Sequence, residues 1–385
     1  MDFTLSDEQL AIQQVSRDFA ENVIKPRAFA MDASGEFPLD IIQQMGALGL
    51  LGLPIPEQYG GAGADFLSYC LALEEIARGD ASVAITMEAH TSLGATPFLL
   101  FGTEEQKKTY LEPLASGQKL WAFGLTEPQA GSDSGGTQTH AEIVDGAWVI
   151  NGSKMFITNA GTPITAGVTV TAVTGVKSNG RKEITNFIVP TGTDGYVIGP
   201  PLKKMGWKAS DTRPLSFDNC NVSQENVLGP VGGGFKQFMQ TLDAGRVAIA
   251  ALCVGLAQAC LDESLKYSHE RSQFGKPLHE FQLIQAKLAD MATEIELSRL
   301  MYYKAAWLHM QERNFAKEAS MAKLFASETS KRAADQAVQI HGGYGFMDEY
   351  PVSRYFRNVK VNEIGEGTSE VQRILIAKQL LQSLR

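Results

Sequence analysis

The stretch Ala141-Glu142-Ile143-Val144-Asp145-Gly146-Ala147-Trp148-Val149-Ile150-Asn151-Gly152-Ser153-Lys154-Met155-Phe156-Ile157-Thr158 decides the fold class. Asp145-Gly146 separates two short apolar-rich runs, and Asn151-Gly152 precedes a third. Such dipeptides supply the positive-φ residues of tight hairpin turns, so the spacing predicts antiparallel strands. Val168 to Val173 and Ile184 to Val189 read as further strands, and strand-like composition runs from about Lys119 to about Gly229. Upstream the pattern is helical. Leu5 to Leu10 reads as a capping box on Ser6 and Gln9 with a Leu5–Leu10 staple, and Val15, Phe19 and Val23 continue one apolar face. Thr103 to Gln106 is a second capping box. Beyond Gly232-Gly233-Gly234 the helical period returns, with Ile284, Leu288, Met291 and Ile295 in step. Breaks fall near Phe274 to Pro277, Glu312 to Phe315 and His341 to Pro351.

The predicted class is α+β, multidomain. An N-terminal α-helical domain covers 1–120, a middle antiparallel β domain (barrel or sandwich) 121–231, and a C-terminal four-helix bundle 232–385. The order helices, strands, helices argues against a doubly wound sheet.

The 385 residues are 44% hydrophobic and 20% charged with a net charge of -9, which argues against a general nucleic-acid binder or an anionic membrane partner. Cys70, Cys220, Cys253 and Cys260 fit no paired motif, so a reducing, cytoplasmic setting is expected. The start carries no basic signal-peptide region, and the longest apolar run, Val247 to Leu261, is too short to span a bilayer. The glycine clusters lack dinucleotide-fingerprint spacing, Gly275-Lys276 runs into Pro277 rather than a P-loop hydroxyl, and no two histidines have zincin spacing.

Five segments carry candidate chemistry. Phe123 to Asp133 mixes glycines with hydroxyls and offers backbone donors to a polar ligand; an ordinary surface loop fits the same composition. Alternation puts Phe156 and Thr158 on one strand face, where they can flank a flat heterocycle or simply join the core. Ser369 to Gln372 reads as a capping box, with Glu366 between two glycines just before it. A carboxylate there can be a general base or a solvated loop charge favoured by the helix dipole. Arg271 can pair with a phosphate or serve as a helix C-terminal cation, and Gln282 follows on the next helix. His341, Gly342 and Gly343 read equally as a ligand site or a helix stop. Tyr302, Tyr303 and Trp307 read as core.

Together these segments resemble the acyl-CoA dehydrogenase family. The matching pieces are F-G-L-T-E-P-Q-A-G-S-D at 123–133, K-M-F-I-T-N at 154–159, D-A-G-R at 243–246, E-R-S-Q-F-G-K-P-L at 270–278, Q-I-H-G-G-Y-G at 339–345 and G-E-G-T-S-E-V-Q-R at 365–373, spread in order over essentially the whole chain. The resemblance implies a noncovalent FAD. Phe123, Leu125, Thr126, Gly131, Ser132, Phe156, Ile157, Thr158, Thr368 and Glu370 are the implied contacts within one subunit. Arg271, Phe274, Gln282, Gln339, Ile340, His341, Gly342 and Gly343 are the contacts a neighbouring subunit would supply in a homotetramer. Glu366 is the implied α-proton base, with hydride passing to the flavin and a trans-2-enoyl-CoA as product. Ser132, Asp243, Arg246, Gly365 and Gly367 match substrate-contact positions. Electron-transferring flavoprotein is the implied electron acceptor; no metal is implied.

Two positions depart from the family pattern: Phe156 where many members carry Trp, and Gly365 where many carry Tyr. Gly365 widens the pocket near the acyl α and β carbons, which suits a short- to medium-chain, branched or straight, saturated acyl group. The helix holding Ala84, Ile85, Met87 and Glu88 is the expected pocket floor. The alternatives are an acyl-CoA oxidase that uses oxygen, a nucleic-acid-binding damage-response relative, which the net charge opposes, and a monooxygenase relative, which generally lacks this Glu.

Overall fold

The structure is a computed structural model that describes residues 4–382. The first three residues, where the signal-peptide reading begins, and the last three of the C-terminal range lie outside it. The N-terminal region holds α1 (Asp7–Phe19), α2 (Ala28–Ser34), α3 (Leu39–Ala47), α4 (Phe66–Gly79), α5 (Ala81–Glu88), α6 (Thr96–Phe101) and α7 (Glu104–Ala115). Ser6 and Thr103 form the capping boxes of α1 and α7. The buried face of α1 differs from expectation: Gln9, Ser16 and Phe19 are inside, while Leu10 and Val15 are exposed. Ser16 gives its hydroxyl to Ile12 O, and Gln9 reaches Asp65, so polar residues sit inside with partners in hand. Between α5 and α6 the helix runs on through a π segment, Ala89–Ala95.

The middle sheet contains β1 (Leu120–Gly124), β2 (His140–Val144), β3 (Ala147–Thr158), β4 (Thr165–Val176), β5 (Lys182–Pro190), β6 (Tyr196–Ile198), β7 (Thr212–Val222) and β8 (Val227–Leu228), in the order β6-β7-β3-β2-β4-β5-β8 with β1 on β4. Asp145 and Gly146 both take positive φ at the β2–β3 turn. The sheet is not wholly antiparallel: β1 pairs with β4 in parallel, and β2 meets β4 in parallel at one residue pair. The excursion from β1 to β4, through the 125–139 loop and the β2–β3 hairpin, is long enough for a parallel return.

After β8 come α8 (Gly234–Glu270), the short β9 (Ser272–Gln273) and β10 (Lys276–Pro277), α9 (Gln282–Met310), α10 (Ala316–His341), α11 (Pro351–Val359) and α12 (Ser369–Gln382). The three breaks fall where the sequence places them. The apolar stretch of α8 is the centre of the molecule: Val247 to Ala257 is buried without interruption, in one core with α4, α5, α9 and α10. That helix is long and apolar enough to cross a membrane, but 94% of its most apolar window is buried inside the protein. An all-round apolar helix with that burial is a core helix. Tyr302 is buried as expected; Trp307 is half exposed, stacked under Arg313. The four cysteines are free and buried.

Candidate active site

Glu366 sits in the turn that links α11 to α12. Its φ is +53°, followed by Gly367 at +96°. The second value suits only glycine; the first is a left-handed conformation that a Glu holds against its own preference. Two side chains hold the turn in place. Gln372 on α12 donates to Glu366 O (3.1 Å) and Gly367 O (3.0 Å), and Lys323 on α10 donates to Gly367 O at 2.8 Å. The cap of α12 lies one residue earlier than the sequence predicts: Thr368 Oγ1 accepts from Val371 N at 3.3 Å, because the strained turn ends at Gly367 and Thr368 is the first residue free to cap.

The Glu366 carboxyl points into the protein. Its Oε2 is buried without a hydrogen-bond partner and lies against Gly245, where an added Cβ would come within 2.4 Å of it. Glu88, on α5, is completely buried, and neither of its carboxyl oxygens has a settled donor. The polar groups within its reach are Glu366 and Ser92, and Ser92 is 3.0 Å from Tyr69 Oη. Burial raises the Glu366 carboxyl to about 7, against the neighbouring Glu88 and the charges of Arg246 and Lys323, which pull it down. Glu88 is pushed well above the usual carboxylate range by burial and then by Glu366 itself. Arg246 on α8 is buried. It bonds Asp243 at 2.5 Å, and its Nε has no partner. Burial brings Lys323 down to about 8.

Beside this group lies a cleft of about 960 Å³, lined by Tyr69, Ser92, Leu99, Asp243, Ala244 and residues of the α9–α10 connection. Asp243 thus faces the cleft while Arg246, three residues on, lies on the Glu366 side.

On the sheet side, Met155 N donates to Thr126 O at 2.8 Å and brings the 123–133 loop against β3. Under it lies a buried ion pair. Lys154 Nζ bonds Glu127 Oε1 (2.8 Å), Leu125 O (3.2 Å) and Thr171 Oγ1 (3.0 Å), while Glu127 also accepts from Thr137 Oγ1 and from the Gln138 and Thr139 amides. Burial alone would raise Glu127, but Lys154 and these donors hold it at about 2; burial lowers Lys154 to about 8 despite its partner. Plain alternation does not carry Phe156. A bulge between Lys154 and Ile157 buries both and turns Phe156 outward at φ +63°, 64% exposed, with Thr158 half buried. Phe123, Leu125, Thr126 and Ile157 flank this surface, and Gly131 and Ser132 lie at the open end of the loop, where a Cβ on Gly131 would touch nothing. Glu370 is exposed on the first turn of α12.

A second group gathers elsewhere. Arg271, Ile340, His341, Gly342 and Gly343 line a cavity of about 490 Å³ with Tyr267 and Tyr344, and it shares no residue with the large cleft. Gln339 is exposed at the end of α10, Gln282 starts α9, and Phe274 is 95% exposed on the β9–β10 turn. His341 stacks on Tyr267 (4.1 Å), and its Nδ1 lies 2.8 Å from Ala337 O. Within one chain, then, Glu366, Asp243, Arg246, Gly365 and Gly367 come together. The Arg271–Gly343 group does not join them. Lys323, Tyr69 and Ser92 join the Glu366 site without any sequence signal having pointed to them; Gly245 and Gln372 lie within the matching pieces, which assign them no role at the site.

Three family models match in succession: acyl-CoA dehydrogenase N-terminal domain over 6–118, middle domain over 122–220 and C-terminal domain over 232–381. A probable acyl-CoA dehydrogenase of Bacillus subtilis is 53% identical over 99% of this chain and 100% of its own length. The chain belongs to the acyl-CoA dehydrogenase family. It is similar to the butyryl-CoA dehydrogenase of Megasphaera elsdenii in structure too, with a TM-score of 0.96 at 45% identity over 99% of this chain and 100% of that one. An acyl-CoA dehydrogenase of Bacillus anthracis in complex with FAD superposes with a TM-score of 0.92 at 36% identity, covering 98% of this chain and 68% of that one. This acyl-CoA dehydrogenase is accordingly an oxidoreductase of an FAD-dependent family, with the three-part fold described above.

Proposed function

We propose that this enzyme dehydrogenates a short-chain saturated acyl-CoA between its α and β carbons, giving the trans-2-enoyl-CoA, with Glu366 as the base that takes the α-proton. The observation that carries this is the Glu366 carboxyl: buried, with one oxygen unpartnered, and brought to about 7, where it is both ionised and basic near neutral pH.

The surroundings fit a flavin. Phe156 presents an outward aromatic ring at a strand bulge, the 123–133 loop leaves Gly131 open, and the buried Lys154–Glu127 pair braces that loop from below. Phe123, Leu125, Thr126, Gly131, Ser132, Phe156, Ile157, Thr158, Thr368 and Glu370 would hold it. The cavity at Arg271, with the exposed Phe274, Leu283 and Phe346 around it, supports a homotetramer in which Arg271, Phe274, Gln282 and Gln339 to Gly343 of a neighbouring copy complete the site. FAD, when bound, supplies the acceptor for the β-hydride. Everything else falls to the chain. The backbone N–H of Glu366 donates to no acceptor among the described residues and is free for the thioester oxygen as negative charge develops there. Lys323 and Gln372 hold the turn so that this N–H and the carboxylate stay in one geometry. Asp243 meets the substrate in the cleft, and Arg246 favours the ionised form of Glu366. At Gly365 a Cβ would meet only Val361 O at 3.6 Å, which supports room for a branched acyl group. The ionised Glu366 beside the buried Glu88 disfavours an anionic tail. Electron-transferring flavoprotein as acceptor and a cytoplasmic setting belong to the same reading.

The test is anaerobic titration of the yellow protein with butyryl-, isobutyryl-, isovaleryl-, octanoyl- and glutaryl-CoA. Bleaching of the oxidised flavin band by the short chains, and not by glutaryl-CoA, is expected. No bleaching by any of them, with FAD bound, would refute the reading.

A further inference from the structure

Resting on the assignment of Glu366 as base, we propose that Glu88 is its positioning partner: the two side chains act as an acid–carboxylate pair in which neutral Glu88 donates a hydrogen bond to Glu366 and keeps Glu366 the ionised member. Glu88 is completely buried and both its oxygens lack a settled donor, while Glu366 Oε2 also lacks one. Two ionised carboxylates side by side in such a place would repel, with no hydrogen bond between them. One shared proton removes a charge and supplies the missing bond.

Which member keeps the proton follows from what faces each of them. Arg246 on α8 and Lys323 on α10 act on Glu366. Glu88 is faced by Tyr69 and Cys70 on α4, by the Ser92 hydroxyl and by Glu366, none of them cationic. Asp243 is engaged by Arg246. The positive charge therefore sits on the Glu366 side, and the proton stays on Glu88. When Glu366 takes the α-proton the pair holds two protons; one returns to solvent before the next turnover, so the count balances. A second consequence is orientation: the hydrogen bond occupies one Glu366 oxygen and leaves the other to face the substrate.

The test is the pH dependence of flavin reduction by butyryl-CoA in stopped flow, for wild type, Glu88→Gln and Glu88→Ala, each with FAD content checked. Glu88→Gln keeps an N–H donor in place, so its midpoint stays near the wild-type one. Glu88→Ala removes the donor, so the midpoint rises by about one pH unit, the size expected for one lost hydrogen bond to a charge. At pH 6 that is a roughly tenfold slower reduction, shrinking as pH rises. Wild-type midpoints in both variants would overturn the pairing. So would an equal upward movement in both, which would mean that an amide N–H cannot stand in for Glu88 and that a donated hydrogen bond is not what it supplies. Glu366→Gln, measured alongside, separates the two ideas: retained reduction removes the base itself, whereas its loss with an unmoved Glu88→Ala profile removes only the partner.

Discussion

Gly245 has no chemistry of its own, yet the geometry makes it a condition for the base. A Cβ at this position would stand 2.4 Å from Glu366 Oε2, 3.2 Å from its carboxyl carbon and 3.3 Å from Leu93 Cδ2. Carbon–oxygen contacts settle at about 3.3–3.6 Å, so Gly245→Ala forces the carboxyl back by roughly 1 Å. The clash is with the far end of a side chain, so the backbone need not move. Gly245 also lies inside α8 in ordinary helical conformation, where Ala is favoured over Gly by about 1 kcal/mol. The two effects separate cleanly. Stability stays level or rises, while a displacement of about 1 Å at the base costs on the order of 100-fold in the proton-transfer step. The assay is rapid-mixing flavin bleaching with butyryl-CoA, with thermal unfolding and FAD stoichiometry on the same preparation. Reduction within about threefold of wild type would show that Gly245 does not set the position of the base, since no misplacement of that size is so cheap. A slow variant with a lowered melting temperature would count against that role too, because the loss would then be one of fold.

Three further outcomes are expected. Glu366 holds its proton up to about pH 7 in the native state against about 4.5 unfolded, so the native state binds the proton more tightly and stability falls as pH rises between those values. Glu366→Gln should therefore raise the melting temperature at pH 8, by on the order of 3 kcal/mol of stability, with little gain at pH 4.5; equal gains at both would show that charge is not the cause. Lys154→Met leaves Glu127 buried without its cation, a loss of about 3–5 kcal/mol, and should release FAD on gel filtration; full flavin retention would dissociate the pair from the loop above it. Gly365→Tyr should slow bleaching by isobutyryl- and isovaleryl-CoA more than by butyryl-CoA, and equal loss on all three would rule out a widened pocket.

The hairpin at Asp145-Gly146 and the capping boxes at Ser6 and Thr103 were legible because each depends on a few neighbouring residues and a local hydrogen bond. Glu366 was legible as a site through its glycine neighbours. Glu88 was expected on the pocket floor, but its direction and its place beside Glu366 were not legible, and the reason is physical: every residue of α5 is buried, so no stripe distinguishes an inward-facing face from the rest. Phe156 changes its surroundings through a bulge that alternation cannot foresee, and Val15 through a helix that buries Gln9 and Ser16 instead. Gly245 and Lys323 come from helices far from Glu366 in sequence, and nothing local ties either to that carboxyl; only packing brings them to it.

The π segment Ala89–Ala95 has a consequence for how this site tolerates change in length. It starts directly after Glu88 and contains Ser92, both of which face the Glu366 site, and it ends ahead of Phe98, which packs edge-on against Trp121 at 5.1 Å; His90 inside it accepts from Trp121 N. Both ends are anchored, so the wider turns take up a surplus of backbone. Removing one residue there would restore a regular helix and turn Thr96–Phe101 by about 100° relative to Glu88. Either the carboxyl pair or the Phe98 packing would then be lost. The phase between pocket floor and sheet is thus set by a count of residues, which no substitution at a single position can replace.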